Sequence, residues 1–236
     1  MNILETNKKL WDDELKNGYG THSFSEEDMI DWNKIIGHIS NIKDMRVLDL
    51  GVGCGRSTEI LLPLCKSYIG TDYSESGINH CKKRFKDGRF IVNDFTKGLP
   101  FSDSSFDFVI ISFNGIDYCS VEERRRTLEE LFRVSNKWIC YSTHDLESIL
   151  EKNWWTDNYI GLQDYNKRSE LVKTNDYYFL EHYQEKFITY FEKTNYTKRY
   201  LEETFNPKQI IKITDMENKI TNLNFQTNYF LIEKRD

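Results

Sequence analysis

The chain has 236 residues, 39% hydrophobic and 30% charged, with 38 acids against 32 bases and a formal net charge of −6. This is the composition of a globular domain with a core of its own, and an acidic balance without an arginine-rich tract speaks against DNA or RNA as substrate. Cys54, Cys65, Cys81, Cys119 and Cys140 form no C-x-x-C pair, residues 1–9 hold no signal-peptide core, and no segment reaches membrane-spanning length, so the expectation is a cytoplasmic protein with no metal site, no disulfide framework and no membrane contact.

In chain order, residues 3–17 and 25–40 read as two helices. The second starts at Ser25 with Glu26, Glu27 and Asp28 in its first turn, and Met29, Ile30, Trp32, Ile35, Ile36 and Ile39 form its apolar face. Val47 to Leu50 read as a buried strand, followed by Gly51, Gly53 and Gly55 and a helical run opened by Ser57 and Thr58. A second strand, 67–72, ends in Asp72, and Ser74 caps the helix after it. A third strand, 89–93, precedes Asp94 and Phe95, and the apolar run Phe106 to Ile111 reads as a central parallel strand ending at Ser112. Ser120 caps a helix reaching to about 135, residues 137–141 form the fifth strand before Ser142, Thr143 and His144, and 194–204, 209–214 and 228–233 read as the last helix and two closing antiparallel strands.

The glycine spacing narrows the ligand. A dinucleotide turn, G-x-G-x-x-G, would place its third glycine at position 56; that position is Arg56, and the glycine sits one residue earlier at Gly55. This disfavours a nicotinamide-dependent dehydrogenase. The Asp49-x-Gly51-x-Gly53-x-Gly55 arrangement resembles motif I of the class I S-adenosylmethionine (SAM)-dependent methyltransferases, and the run from Leu99 through Asp107 into strand four resembles that of their small-molecule members; the matches cover roughly residues 45–145. The resemblance implies a Rossmann-like α/β fold with a seven-stranded, mostly parallel sheet and helices on both faces. It divides the chain into an N-terminal helical lid (1–42), a SAM-binding core (43–149), an inserted aromatic-rich substrate cap (150–193) and a closing segment (194–236).

The resemblance also assigns roles. Asp49, Gly51, Gly53 and Gly55 would hold the methionine end of SAM. Asp72, about 20 residues past the turn, would grip both ribose hydroxyls. Asp94 would accept the adenine amino group, with Phe95 or Tyr73 on the adenine face, and Ser112 lies at the ligand-facing end of strand four. Of the lid residues Trp11, Tyr19 and His22, one of Trp11 and Tyr19 is expected at the cofactor or substrate; ordinary aromatic packing is the alternative. His144 is the candidate general base, or a histidine bonded to a loop backbone. Asn114, Asp117 and Tyr118 are candidates to orient the acceptor, Asp117 reading equally as an Asx-turn residue. The cap holds Trp154, Trp155, Tyr159, Tyr165, Tyr177, Tyr178, Phe179, His182, Tyr183, Phe187, Tyr190 and Phe191, which either stack on a sugar or base or build a small core.

Residues 114–116 do not match the Asn/Asp-Pro-Pro-Tyr/Phe loop of DNA amino-methyltransferases, and the paired-glutamate loop of protein arginine methyltransferases is not evident. The loop 113–118 resembles members that methylate sugar hydroxyls or amino-sugar nitrogens. The expected activity is therefore methyl transfer from SAM, leaving S-adenosylhomocysteine (SAH), to a small molecule: a sugar or sugar-nucleotide hydroxyl in glycan biosynthesis first, an amino sugar or amine second. A non-catalytic SAM-binding subunit is the alternative from another class.

Overall fold

The computed structural model describes residues 3–19, 26–150, 159–182, 186–214 and 227–235. The expected helix start at Ser25, together with His22, Trp154, Trp155 and Tyr183, lies outside them. The elements in chain order are α1 (Ile3–Lys16), α2 (Glu26–His38), β1 (Arg46–Leu50), α3 (Thr58–Leu61), β2 (Ser67–Asp72), α4 (Glu75–Arg84), β3 (Arg89–Val92), β4 (Phe106–Ile111), α5 (Val121–Val134), β5 (Ser135–Asp145), α6 (Tyr165–Thr174), β6 (Tyr177–Glu181), β7 (Ile188–Glu192), α7 (Thr194–Phe205), β8 (Gln209–Thr214) and β9 (Thr227–Glu233).

Among the described residues the sheet has nine strands, two more than expected. Strands β3, β2, β1, β4 and β5 run parallel, and β9 and β8 close the far side antiparallel, giving the seven-stranded path β3-β2-β1-β4-β5-β9-β8. The extra pair arises because β5 runs on to Asp145, four residues past the expected end. Its last two residues, His144 and Asp145, pair with Phe191 and Glu192 of β7, which carries β6 as an antiparallel hairpin. Part of the cap is thus a sheet extension, and α6 within it was not foreseen.

Period-two alternation sorts the core onto both faces. Val47, Phe108, Ile110, Trp138, Cys140, Tyr229 and Leu231 pack with Trp32 and Ile35 of α2 and Ile78 and Cys81 of α4. Their neighbours Leu48, Leu50, Val109, Ile111, Ile139, Tyr141, Phe230 and Ile232 pack with Leu128 and Leu131 of α5 and Leu201 of α7. A strand apolar on both faces must be covered by helices on both sides, and that layering leaves the C-terminal strand ends as the open edge. A smaller cluster of Leu146, Ile149, Tyr159, Leu162, Val172, Leu180 and Phe191 joins the end of β5 to α6 and the β6–β7 hairpin.

Two expected caps are present. Ser74 accepts from the Gly77 amide, and Ser120 forms a reciprocal capping box with Glu123. Ser57 does otherwise: it makes no cap bond, and α3 is only four residues long, with Pro63 just beyond it.

Candidate functional site

The C-terminal ends of β1, β2 and β3 carry one cluster of ligand-ready groups. Gly51, Gly53 and Gly55 all have positive φ, a backbone only glycine adopts without strain. Gly77, in the first turn of α4, lets that helix sit against the turn: a Cβ there would meet the Gly53 carbonyl oxygen at 2.7 Å. Behind the turn, Asp49 is fully buried and accepts from Ser57 Oγ at 2.5 Å and Tyr68 Oη at 2.7 Å through one oxygen. Its other oxygen, Oδ1, has no hydrogen-bond partner among the described residues. Burial, only partly opposed by the Ser57 and Tyr68 bonds and assisted by Asp72, pushes the Asp49 pKa up to about 7.

Asp72 closes β2 as expected. One oxygen accepts from the Gly53 amide and the other from the Ser74 amide, both at 2.8 Å. A carboxylate offers roughly four acceptor positions, so one remains on each Asp72 oxygen, the pattern a vicinal diol requires. Burial raises its pKa to about 6; the two backbone bonds oppose the rise, and Asp12 and Asp94 add to it. Asp94 Oδ1 accepts from the Thr96 amide and hydroxyl, while Oδ2 is ion-paired with Lys8. Burial works to raise the Asp94 pKa, but the Lys8 and Thr96 bonds outweigh it and hold it below the usual value. Phe95 is buried in the core that holds Leu50 and lies beneath Gly51, whose Cβ would stand 3.5 Å from its ring. Tyr73 donates its hydroxyl to the Lys8 carbonyl. Ser112 is buried at the end of β4, and its carbonyl accepts from the Gly115 amide.

Helix α1 lies over this cluster. Lys8, Asp12 and Leu15 share one face at i, i+4, i+7 spacing. They reach Asp94, the Ser74 hydroxyl and the Gly53–Cys54 turn respectively. From the next face, Asn7 donates to the carbonyls of Tyr118 and Ile188 and accepts the Ile188 amide. Trp11 packs against Tyr118 (ring centroids 5.1 Å apart), Phe187 (4.6 Å) and Tyr19 (5.5 Å), and its indole N–H is buried without a partner among the described residues. Both candidate lid aromatics thus join one aromatic cluster with Tyr118, and Tyr19 remains half exposed.

A second polar cluster stands at the ends of β4, β5 and β7. Phe113 and Asn114 follow β4 with consecutive positive φ values of 52° and 57°; such strain in residues other than glycine collects at functional positions. The fully buried Asp117 accepts four bonds: from Arg124 and Thr143 on Oδ1, and from the His144 amide and Nδ1 on Oδ2. Arg124, also buried, spans from Asp117 (2.6 Å) to Glu192 (2.7 Å), and Glu192 accepts the Tyr190 hydroxyl. A carboxylate only accepts, so His144 Nδ1 carries the hydrogen and Nε2 accepts from Asn114 Nδ2 at 3.0 Å. The second Asn114 N–H goes to Thr227 Oγ1, and the Asn114 Oδ1, buried, has no partner among the described residues. His144 therefore accepts from Asn114 through Nε2 in this arrangement. Asp117 is a buried hub rather than an Asx-turn residue. Tyr118 contributes its ring to the Trp11 cluster. Lys8, Asn7, Arg124 and Glu192 carry no local sequence signal for these positions.

Residues 47–137 match the family model described as "Methyltransferase domain". The demethylmenaquinone methyltransferase of Paenarthrobacter aurescens is 36% identical over 105 residues, 44% of this chain and 40% of that protein. The ubiquinone/menaquinone biosynthesis C-methyltransferase of Rickettsia prowazekii is 30% identical over 141 residues, 52% of this chain and 54% of that protein. The chain thus spans about half or less of the length of these curated relatives. Among solved structures, a putative SAM-dependent methyltransferase of Listeria monocytogenes superposes with a TM-score of 0.64 at 13% identity, covering 89% of this chain and 100% of that one. The glycine turn, the orphaned Asp49 oxygen and the half-free Asp72 fit the cofactor of that family. Residues 47–137 thus match a methyltransferase domain, carried on a fold shared with solved SAM-dependent methyltransferases, and the residues described above fit S-adenosyl-L-methionine.

Proposed function

We propose that the chain catalyses methyl transfer from SAM to a small molecule whose reacting group carries a proton, and that the acceptor is a hydroxyl on a planar ring. The observation that carries this reading is the buried Asn114 Oδ1, which has no partner among the described residues and belongs to an amide fixed by two donated bonds on a strained turn at the end of β4. An orphaned buried acceptor costs about 1–3 kcal/mol, a cost that a hydroxyl or amine donor would remove on binding. The Trp11, Tyr118 and Phe187 rings support a flat, partly apolar acceptor. The curated relatives are named for demethylmenaquinone and for C-methylation in ubiquinone/menaquinone biosynthesis, which supports a quinone-like ring but names carbon as the methylated atom, so ring-carbon transfer is the competing outcome of the test below. Nothing comparable favours the sugar hydroxyl expected from the 113–118 loop.

When bound, SAM supplies the methyl group together with its own leaving group. The work left to the chain is alignment and exclusion of water. In this reading Asp72 holds the ribose hydroxyls, Asn114 Oδ1 orients the acceptor's O–H, and Asp117 fixes His144, which fixes the Asn114 amide. The acceptor's proton passes to His144 Nε2 when the acceptor displaces the Asn114 Nδ2 bond to it, leaving an imidazolium paired with Asp117. The test is SAH formation, followed by mass spectrometry, with naphthoquinols, catechols, sugars and amines offered in parallel. Turnover with ring hydroxyls, lost by at least about 100-fold in Asn114→Ala, is the expected result. Turnover with sugars or amines alone overturns the acceptor assignment. SAH binding with no turnover on any of them supports the non-catalytic alternative.

A further inference from the structure

The two strand-end aspartates differ in a way that the cofactor reading alone does not anticipate. Asp72 has two of its roughly four acceptor positions taken. Asp94 has at most one left: Thr96 supplies two donors to Oδ1, Lys8 is bonded to Oδ2, and Lys97 stands 3.5 Å from that same oxygen. The Lys8–Asp94 pair is largely buried, both side chains being 16% exposed, whereas Lys97 is 75% exposed. Lys8 is also held from its own backbone, since its carbonyl accepts the Tyr73 hydroxyl. Four residues on, Asp12 is bonded to Ser74, the residue that donates its amide to Asp72. Helix α1 therefore closes over the cofactor aspartates with a cation seated on the one expected to take the adenine amino group.

We propose that Lys8 is a latch: it holds α1 down by bonding Asp94 Oδ2, the oxygen that Thr96 leaves open, so an adenine amino group docking on Asp94 competes with Lys8 for that oxygen and the lid and the cofactor oppose each other. The inference rests on the SAM reading of the cleft and adds to it a residue that lowers cofactor affinity. Asn7, one position earlier on the same helix, bonds Tyr118 and Ile188, so release of the latch at the adenine end loosens the same helix at the acceptor end.

The experiment is titration calorimetry of the full chain with SAH, which carries no net charge and so does not respond to the simple loss of a positive charge nearby. Wild type, Lys8→Met, Lys8→Arg and Asp94→Asn are compared, with folding checked by circular dichroism. Lys8→Met is expected to bind SAH about two- to fivefold more tightly than wild type, and Lys8→Arg to match wild type. In the Asp94→Asn background, Lys8→Met should change nothing. Equal or weaker SAH binding by Lys8→Met, with wild type binding normally, overturns the latch alone. Failure of wild type and every variant to bind SAH overturns the cofactor reading and the latch with it.

Discussion

At the scale of single residues, strand-end acids were legible and their partners were not. Asp72 and Asp94 announce themselves because each directly follows a short apolar strand at a fixed distance from the glycine turn. Lys8 lies 86 positions from Asp94 in a stretch with no pattern but helical periodicity, so nothing local reveals the pairing. His144 was readable as a strand-end histidine, but its enclosure between Asp117 and Asn114 depends on three elements meeting. The pKa of Asp72 carries a consequence for binding. Burial raises it to about 6, and in the proposed site the ionised carboxylate is the form that would accept both ribose hydroxyls. SAH affinity should therefore rise as pH increases from 5 to 7 and level off above that. Calorimetry across this range checks it, and a flat profile would show that Asp72 does not titrate against the ligand.

At the scale of elements, two helix starts that look alike in sequence do different work. Ser120 and Glu123 cap α5 at a distance from the glycine turn, and Ser120→Ala should cost about 1 kcal/mol in urea unfolding while leaving SAH affinity unchanged. Gly77 opens α4 directly against Gly53. Gly77→Ala places a methyl group 2.7 Å from a backbone oxygen, which cannot rotate away. That variant should weaken SAH binding by at least about tenfold; unchanged affinity would mean that the turn is not held by this contact. Helices and parallel strands were readable here because their periodicities are clean. The attachment of the β6–β7 hairpin was not readable, since it depends on β5 extending past Tyr141, which composition does not signal.

At the scale of the whole molecule, Arg124 joins the main sheet to the extension. It ties Asp117, next to the β4 end, to Glu192 on β7, and all three are buried. Arg124→Met would leave two carboxylates without their cation, so it should cost about 3–5 kcal/mol in urea unfolding; a loss under about 1 kcal/mol would mean the knot is not structural. Charge burial also sets a pH trend. Because the folded-state pKa of Asp49 is raised to about 7, the folded protein holds a proton that the unfolded chain releases near pH 4. Stability from this group is present below that value and is lost as pH rises through about 7. Asp49→Asn, which cannot ionise, should gain melting temperature relative to wild type between pH 5 and pH 8; a constant difference would contradict the raised pKa. The class of fold was readable because four motifs fall in order across 45–145, whereas the acceptor region was not, because its walls come from α1, the β4 end and β7, far apart in sequence.

The measurement that bears most directly on the account is equilibrium binding of SAM and SAH by calorimetry to wild type and Asp72→Ala. Binding of both ligands to wild type is expected, with a loss of about 1.5–3 kcal/mol, roughly 10- to 150-fold, in the variant. Absence of binding to wild type, or equal binding by a folded Asp72→Ala, would contradict the assignment of this cleft as the cofactor site.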